Sequence, residues 1–134
     1  MDFLKEAEKI ALRSSIKKHR TGAVIVQSGV VVSNGWSHIP ATRVLTSRRS
    51  LHAELHALAR ARYRYNLEGA TCYVATVTQA NRLTNSCPCL HCAIALRAAG
   101  IDLVYFTTGV DAEYVFLNAD SNLEGLKVYE PYSE

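Results

Sequence analysis

Two short stretches constrain this chain more than any other feature: His52-Ala53-Glu54, and Pro88-Cys89-Leu90-His91-Cys92. Together they offer one imidazole nitrogen from His52, two thiolates from Cys89 and Cys92, and one carboxyl group from Glu54. Nitrogen and thiolate sulfur are the donors that zinc takes. Three protein ligands leave the fourth tetrahedral position open, which a catalytic zinc requires and a structural zinc lacks. Water in that position would lose a proton near neutral pH and become a nucleophile. Glu54 lies two residues from a ligand, close enough to shuttle that proton. One Zn2+ per chain is expected, and any fold must bring the two stretches to one point.

The surrounding pattern suits that demand. Both stretches sit where a helix should begin, and a strand-like run, Ala70 to Val77, lies between them. Cys89 and Cys92 are three apart, so both should face one side of a first helical turn. Exposed N–H groups and the positive dipole end at such a turn favour thiolate. A C-x-x-C at a helix start after a strand also fits a thiol oxidoreductase or redox switch. That rival has no use for His52 and Glu54. Cys87 adds a third thiol but reads as a small residue before the helix, and Cys72 reads as core. His56, one turn after His52, could form a two-histidine pair, although thiols are the better partners. His91, between the two cysteines, is expected to face solvent.

The rest of the chain reads as one domain over residues 1–134, with helices and strands alternating. Residues 2–18 are expected to form a helix with an apolar stripe (Phe3, Leu4, Ala7, Ile10, Ala11, Ile16) and a basic one (Lys5, Lys9, Arg13, Lys17). Asp2 is its N-cap, and His19-Arg20-Thr21-Gly22 ends it. Ala23–Val26 and Val30–Val32 read as a hairpin around Gln27-Ser28-Gly29. Residues 33–50 form a long polar loop leading into His52, and loops of this length are usually functional. Leu51–Tyr65 reads as a helix whose buried stripe is Leu51, Leu55, Leu58 and Ala59, with Arg60, Arg62 and Arg64 near its C-terminal end. Ala70–Val77 is a strand with Tyr73, Ala75 and Val77 on one face and Cys72, Val74 and Thr76 on the other. Residues 78–86 read as polar loop. Pro88 fits the first position of a helix that stops at Gly100. Ile101–Phe106 is a strand, Asp111–Asn118 a short helix and Leu126–Tyr129 a last strand. This order argues for an α/β fold, a sheet covered by helices on both faces.

Composition narrows the class. No apolar run approaches the length of a membrane span, and the first residues lack the apolar stretch of a signal peptide. A cytoplasmic protein is expected, in which four cysteines point to metal or free thiols rather than disulfides. Charge is divided unevenly. Residues 1–64 carry twelve Lys and Arg against four Asp and Glu, and residues 65–134 carry three against eight. A basic half can hold a phosphate or a polynucleotide, although a merely solvated face is equally compatible.

In the pairing of H-x-E with P-C-x-x-C, the sequence resembles the cytidine deaminase superfamily. The resemblance spans Thr21 to Thr108. It implies a three-layer α/β/α sandwich with a five-stranded mixed sheet, whose two ligand-bearing helices point their N-termini at one zinc. It further implies that Glu54 is the catalytic proton shuttle and that His52, Cys89 and Cys92 are the metal ligands. The expected activity is hydrolytic deamination of a cytosine base to uracil in a free pyrimidine nucleotide such as dCMP, by a homo-oligomer with no membrane partner. A polynucleotide cytosine deaminase acting on single-stranded DNA or RNA is the alternative. The first helix and Arg60, Arg62 and Arg64 would then follow the backbone. Adenine deamination is a further alternative.

Substrate-side expectations follow the same resemblance. The family commonly holds the sugar with an asparagine. Aligned on Gly35-Trp36, this chain has Ser37 there, with Asn34 three residues earlier, so Asn34, Ser37 and His38 are all candidates. The backbone of Ala53 commonly contacts the base, and that of Cys89 may orient it, by resemblance. Trp36 could stack on a base or pack in the core. Arg43, Arg48 and Arg49 suit a substrate phosphate, since arginine forks match phosphate oxygens. The position of Tyr105, by resemblance, falls on a strand near the substrate mouth in some relatives.

Overall fold

The computed structural model describes residues 2–39, 50–61 and 66–117. Helix α1 (Phe3–Ala11) is capped by Asp2, whose carboxylate accepts from the N–H groups of Leu4 at 3.1 Å and Lys5 at 3.2 Å. α1 is shorter than the periodicity suggests. The buried Ser14 hydroxyl accepts from Ile16 N–H and pairs with Ser37, so the backbone bonds locally instead of continuing the helix. His19-Arg20-Thr21-Gly22, expected as the helix end, is instead the first half of strand β1 (His19–Gln27). Its ladder to the central strand, with Thr21 opposite Thr76, outweighs local helix preference.

β1 turns back into β2 (Val30–Trp36) through Ser28 and Gly29, both at positive φ, as a two-residue hairpin turn demands. Helix α2 (Ala53–Ala61) follows, then β3 (Thr71–Thr78). The expected polar loop after β3 contains a two-residue strand, β4 (Leu83–Thr84), folded back on β3 around Asn81 at positive φ. Helix α3 (Leu90–Ala98) leads to β5 (Leu103–Thr107). Pro88 is not its first helical residue. Cys89 is the N-cap, so the proline stands one position earlier.

The expected helix from Asp111 is instead a strand, β6 (Ala112–Phe116), antiparallel to β5. Thr108 and Asp111 close a turn through Gly109, with Asp111 N–H donating to Thr108 Oγ1 at 3.0 Å. Tyr114, Val115 and Phe116 then suit a pleated surface better than a helix. The expected strand Leu126–Tyr129 lies outside the described residues.

The sheet order is β2-β1-β3-β5-β6, with β4 beside β3. Only β3 and β5 run parallel, so the sheet is mixed. One face carries α1 over a core of Ala7, Ile10, Val24, Val26 and Ala75. The other carries α2 and α3 over a larger core that includes Ile25, Ala53, Cys72, Val74, Leu96 and Val104. The alternation expected for β3 holds, with Cys72 and Val74 facing α2 and α3. The stripe expected for α2 does not. Its buried residues are Ala53, Glu54, Ala57 and Ala61, and Ala59 is exposed. The reason is close approach. A Cβ at Gly35 of β2 would overlap the backbone of Ala53 and Ala57, so only small residues fit between helix and strand. Gly22 does the same for α1, where a Cβ would meet Ala7 and Ala11. No described helix is long and apolar enough to cross a membrane.

Candidate metal centre

Both expected ligand stretches are fixed by short backbone bridges before their helices begin. On one side His38 and Leu51 pair, with His38 N–H donating to Leu51 O at 3.2 Å, and His52 then opens directly into α2. On the other, Asn85 pairs with Thr108, and Ser86 locks the turn. Buried Ser86 donates its hydroxyl to Val74 O at 2.8 Å and accepts from Thr107 N–H at 2.8 Å. Its own N–H donates to Thr107 O at 2.8 Å. Ser86 thus ties the parallel strands β3 and β5 together three residues before Cys89. Sequence reasoning passed over Ser86 and Thr107. The signal was a small hydroxyl residue at the end of a strand, beside the motif.

The two stretches converge. The ligand atoms of His52, Cys89 and Cys92 all lie within 4.8 Å of one another. His52 Nδ1 is 3.2 Å from Cys92 Sγ and 3.6 Å from Cys89 Sγ. A tetrahedral zinc with Zn–S of about 2.3 Å and Zn–N of about 2.0 Å sets such atoms roughly 3.5 Å apart, so the donor set fits zinc in type and spacing. Cys89 Sγ also accepts from Cys92 N–H at 3.5 Å at the start of α3. The Cys89 thiol is lowered to about 4, first by its hydrogen bond with Cys92 and then by His52. Cys92, the partner in that bond and deeply buried, is pushed up. A zinc ion held by these two sulfurs would take the place of the proton they share.

Glu54 is buried, at 4% exposure, in the first turn of α2. Burial raises its carboxyl above the usual range, with the charge on His52 opposing the shift. Its field also reaches Cys72 on β3 beneath, whose thiol is raised by burial first and by Glu54 second. Glu54 is thus electrostatically coupled both to the ligand set and to Cys72.

The other sequence candidates are placed differently. Ala53 is fully buried in the helix–sheet core. Ser37 is buried, and its hydroxyl is engaged by Ser14 Oγ at 2.9 Å and Thr21 N–H at 3.1 Å. Asn34 Oδ1 accepts from Arg60 at 3.0 Å. Trp36 packs against the α1-side core, with its N–H donating to His56 Nδ1 at 3.1 Å. His38 is held by Trp36 O at 2.8 Å and packs against His56. His56 takes no part in the ligand group, nor does Cys87. His91 is exposed and Cys72 is core, as expected. Tyr105 is a correction. It stacks on Tyr73 on the α1 face, away from the ligand set, because β5 turns Val104 and Phe106 toward α2 and α3. Arg43, Arg48 and Arg49 lie outside the described residues, as do Arg62 and Arg64.

The cytidine and deoxycytidylate deaminase zinc-binding region matches residues 1–108. Sequence comparison with curated proteins returns no significant match. Among solved structures, the dCMP deaminase of cyanophage S-TIM5 in complex with dCMP and dUMP superposes with a TM-score of 0.62 at 26% identity, over 78% of this chain and 76% of that one. Cytidine deaminase from Burkholderia pseudomallei gives 0.63 at 21% identity, over 90% and 96%. Acinetobacter baumannii RibD gives 0.54 at 27% identity, over 79% of this chain and 27% of that one.

Proposed function

The chain belongs to the cytidine and deoxycytidylate deaminase family, and on that premise we propose that it deaminates the cytosine of a free pyrimidine nucleotide such as dCMP. Family membership makes this chain a zinc-dependent hydrolytic deaminase of the cytosine type. The observation that carries the reading is the convergence of His52, Cys89 and Cys92 beside buried Glu54. Zinc at that position supplies Lewis acidity and lowers the pKa of water. His52, Cys89 and Cys92 hold it and keep one side open to substrate. Glu54 takes a proton from the attacking water and delivers it to N3 of the ring. It then takes the proton of the new C4 hydroxyl and carries it to the exocyclic nitrogen, so that the C4–N bond breaks, C4=O forms and ammonia leaves. The backbone at Ala53 orients the base, and the arginines before His52 receive the phosphate. The nucleotide complex of the phage enzyme supports this choice by likeness. We further infer a cytoplasmic location, since thiol ligands stay reduced most readily in a reducing compartment, and, from the family resemblance alone, a homo-oligomer.

The test is incubation of zinc-loaded protein with equimolar dCMP, CMP, deoxycytidine, cytidine and a cytosine-bearing oligonucleotide. Mass spectrometry reads the gain of about one dalton when an amine becomes a carbonyl. Turnover of the mononucleotides is expected. Glu54→Gln should lower kcat by about a hundredfold or more with zinc content unchanged. Turnover of the oligonucleotide alone would replace the free-nucleotide substrate with a polynucleotide. Turnover of none would sink the cytosine assignment.

A further inference from the structure

Arg13 and Arg60 converge on a single side chain. The Arg13 guanidinium lies 5.2 Å from the Trp36 ring centroid, and that of Arg60 lies 5.3 Å from it. The two arrive from opposite sides of the sheet. Arg13 follows α1 on one face, and Arg60 ends α2 on the other. Trp36 stands between them at the end of the edge strand β2, whose outer N–H is already taken by His56. A cationic ridge therefore wraps the sheet edge. Each arginine gains about 0.5–1 kcal/mol from the ring, but the pair repel one another. Among the described residues neither arginine forms an ion pair with a carboxylate. Among the described residues the one ion pair is Lys9–Glu6, on α1.

The ridge continues along α1. Lys5 and Lys9 are exposed and four residues apart on α1, so they share one helix face, and exposed Arg13 follows just after the helix ends. At a rise of ~1.5 Å per residue the two lysines lie about 6 Å apart along the axis, with Arg13 beyond them. A single phosphate would meet only one end of such a row. A chain of phosphates would meet all of it, at roughly 3.4 Å of axis per phosphate on one strand. Arg60, at the other end of the ridge, lies in the last turn of α2, whereas His52 precedes the first.

We propose that Lys5, Lys9, Arg13 and Arg60, with Trp36 backing the two arginines, form a docking surface for the phosphodiester backbone of single-stranded nucleic acid. The stacked arginines present planar forks suited to phosphate oxygens, and the ring holds them in place. This surface is separate from the site of chemistry and does not depend on which base is deaminated.

Trp36 is the chain's one tryptophan, so its fluorescence reports on this ridge. Zinc-loaded protein would be titrated with an oligothymidylate of about 20 nucleotides, which offers no cytosine to the catalytic site. The expected result is a saturable change in Trp36 emission whose affinity falls as salt rises. Arg13→Ala and Arg60→Ala should each weaken binding about three- to tenfold and reduce the log–log salt slope by about one, with zinc content and Tm retained. Arg13→Lys should keep the slope while altering the Trp36 signal, because charge remains and stacking is lost. Absence of binding would overturn the proposal, as would undiminished affinity in both alanine variants. Competition by thymidine monophosphate at equal phosphate concentration would also overturn it, since the site would then hold a single small anion.

Discussion

His56 is held neutral by its surroundings. Partial burial is the largest cause, followed by the positive charges of His38 and Arg60, and together they lower its pKa to about 4. Its Nδ1 accepts the Trp36 N–H, which it can do only while unprotonated. An unfolded histidine titrates near 6.5. As pH falls from about 6.5 to about 4, the unfolded chain binds this proton and the folded chain resists it, so stability is lost across that window. At equal zinc loading, the loss of Tm between pH 7 and pH 5 should be a few degrees smaller in His56→Gln than in the parent. Identical pH dependence in the two would mean that His56 titrates normally. The contrast with His52 is instructive. Both start as histidines one helical turn apart, yet one faces two thiols and the other faces arginine, indole and imidazole.

At the scale of elements, two glycines set how closely the helices lie on the sheet. Gly35 admits α2 and Gly22 admits α1, each against alanines of the facing helix. The metal ligands depend on this seating, because His52 immediately precedes α2. Gly35→Ala would drive a methyl into the backbone of Ala53 and Ala57. It should cost about 1–3 kcal/mol and displace the start of the helix. Differential scanning calorimetry should show a Tm lower by several degrees, and zinc titration should show weaker binding. A variant with parental Tm and zinc affinity would show that the helix can lift without disturbing the ligands. The misread element, β6, belongs to the same scale. Ala112–Phe116 has no side-chain period that excludes a helix, and only pairing with β5 makes it a strand.

Across the whole molecule, the metal centre is a clasp between α2 and α3, whose cores share one face of the sheet. Binding to the folded chain alone adds stability that grows with free zinc, about 2.7 kcal/mol at a hundredfold excess over Kd. Removing zinc with a chelator should therefore lower Tm by about 10 °C for a domain of this size. Readdition should restore it, and Cys92→Ala should show no response to either step. An unchanged Tm on chelation of the parent would mean that the ligands do not hold metal in the folded state. The same whole-molecule view gives the uneven charge a place. The basic half supplies both α1 and α2, which lie on opposite faces yet bring Arg13 and Arg60 to one ring.

By itself the sequence determined the ligand set and the alternation of helices with strands, and it singled out Glu54 as the proton carrier we propose. Donor chemistry restricts a zinc site to few residue types and spacings, and those are visible along the chain. The N-cap at Asp2, the turn at Ser28-Gly29 and the two-faced pattern of β3 were legible for a similar reason, since each depends on neighbours within a few residues. Tertiary structure alone decided the rest. Asn34 and Ser37 were equal candidates until Arg60 and Ser14 met them across the fold. Ser86 looked like loop until β3 and β5 closed on it. The buried stripe of α2 was set by a glycine on another strand. In each case the deciding partner is distant in sequence, and no local period records which distant side chain will satisfy a hydroxyl, fill a gap or share a ring.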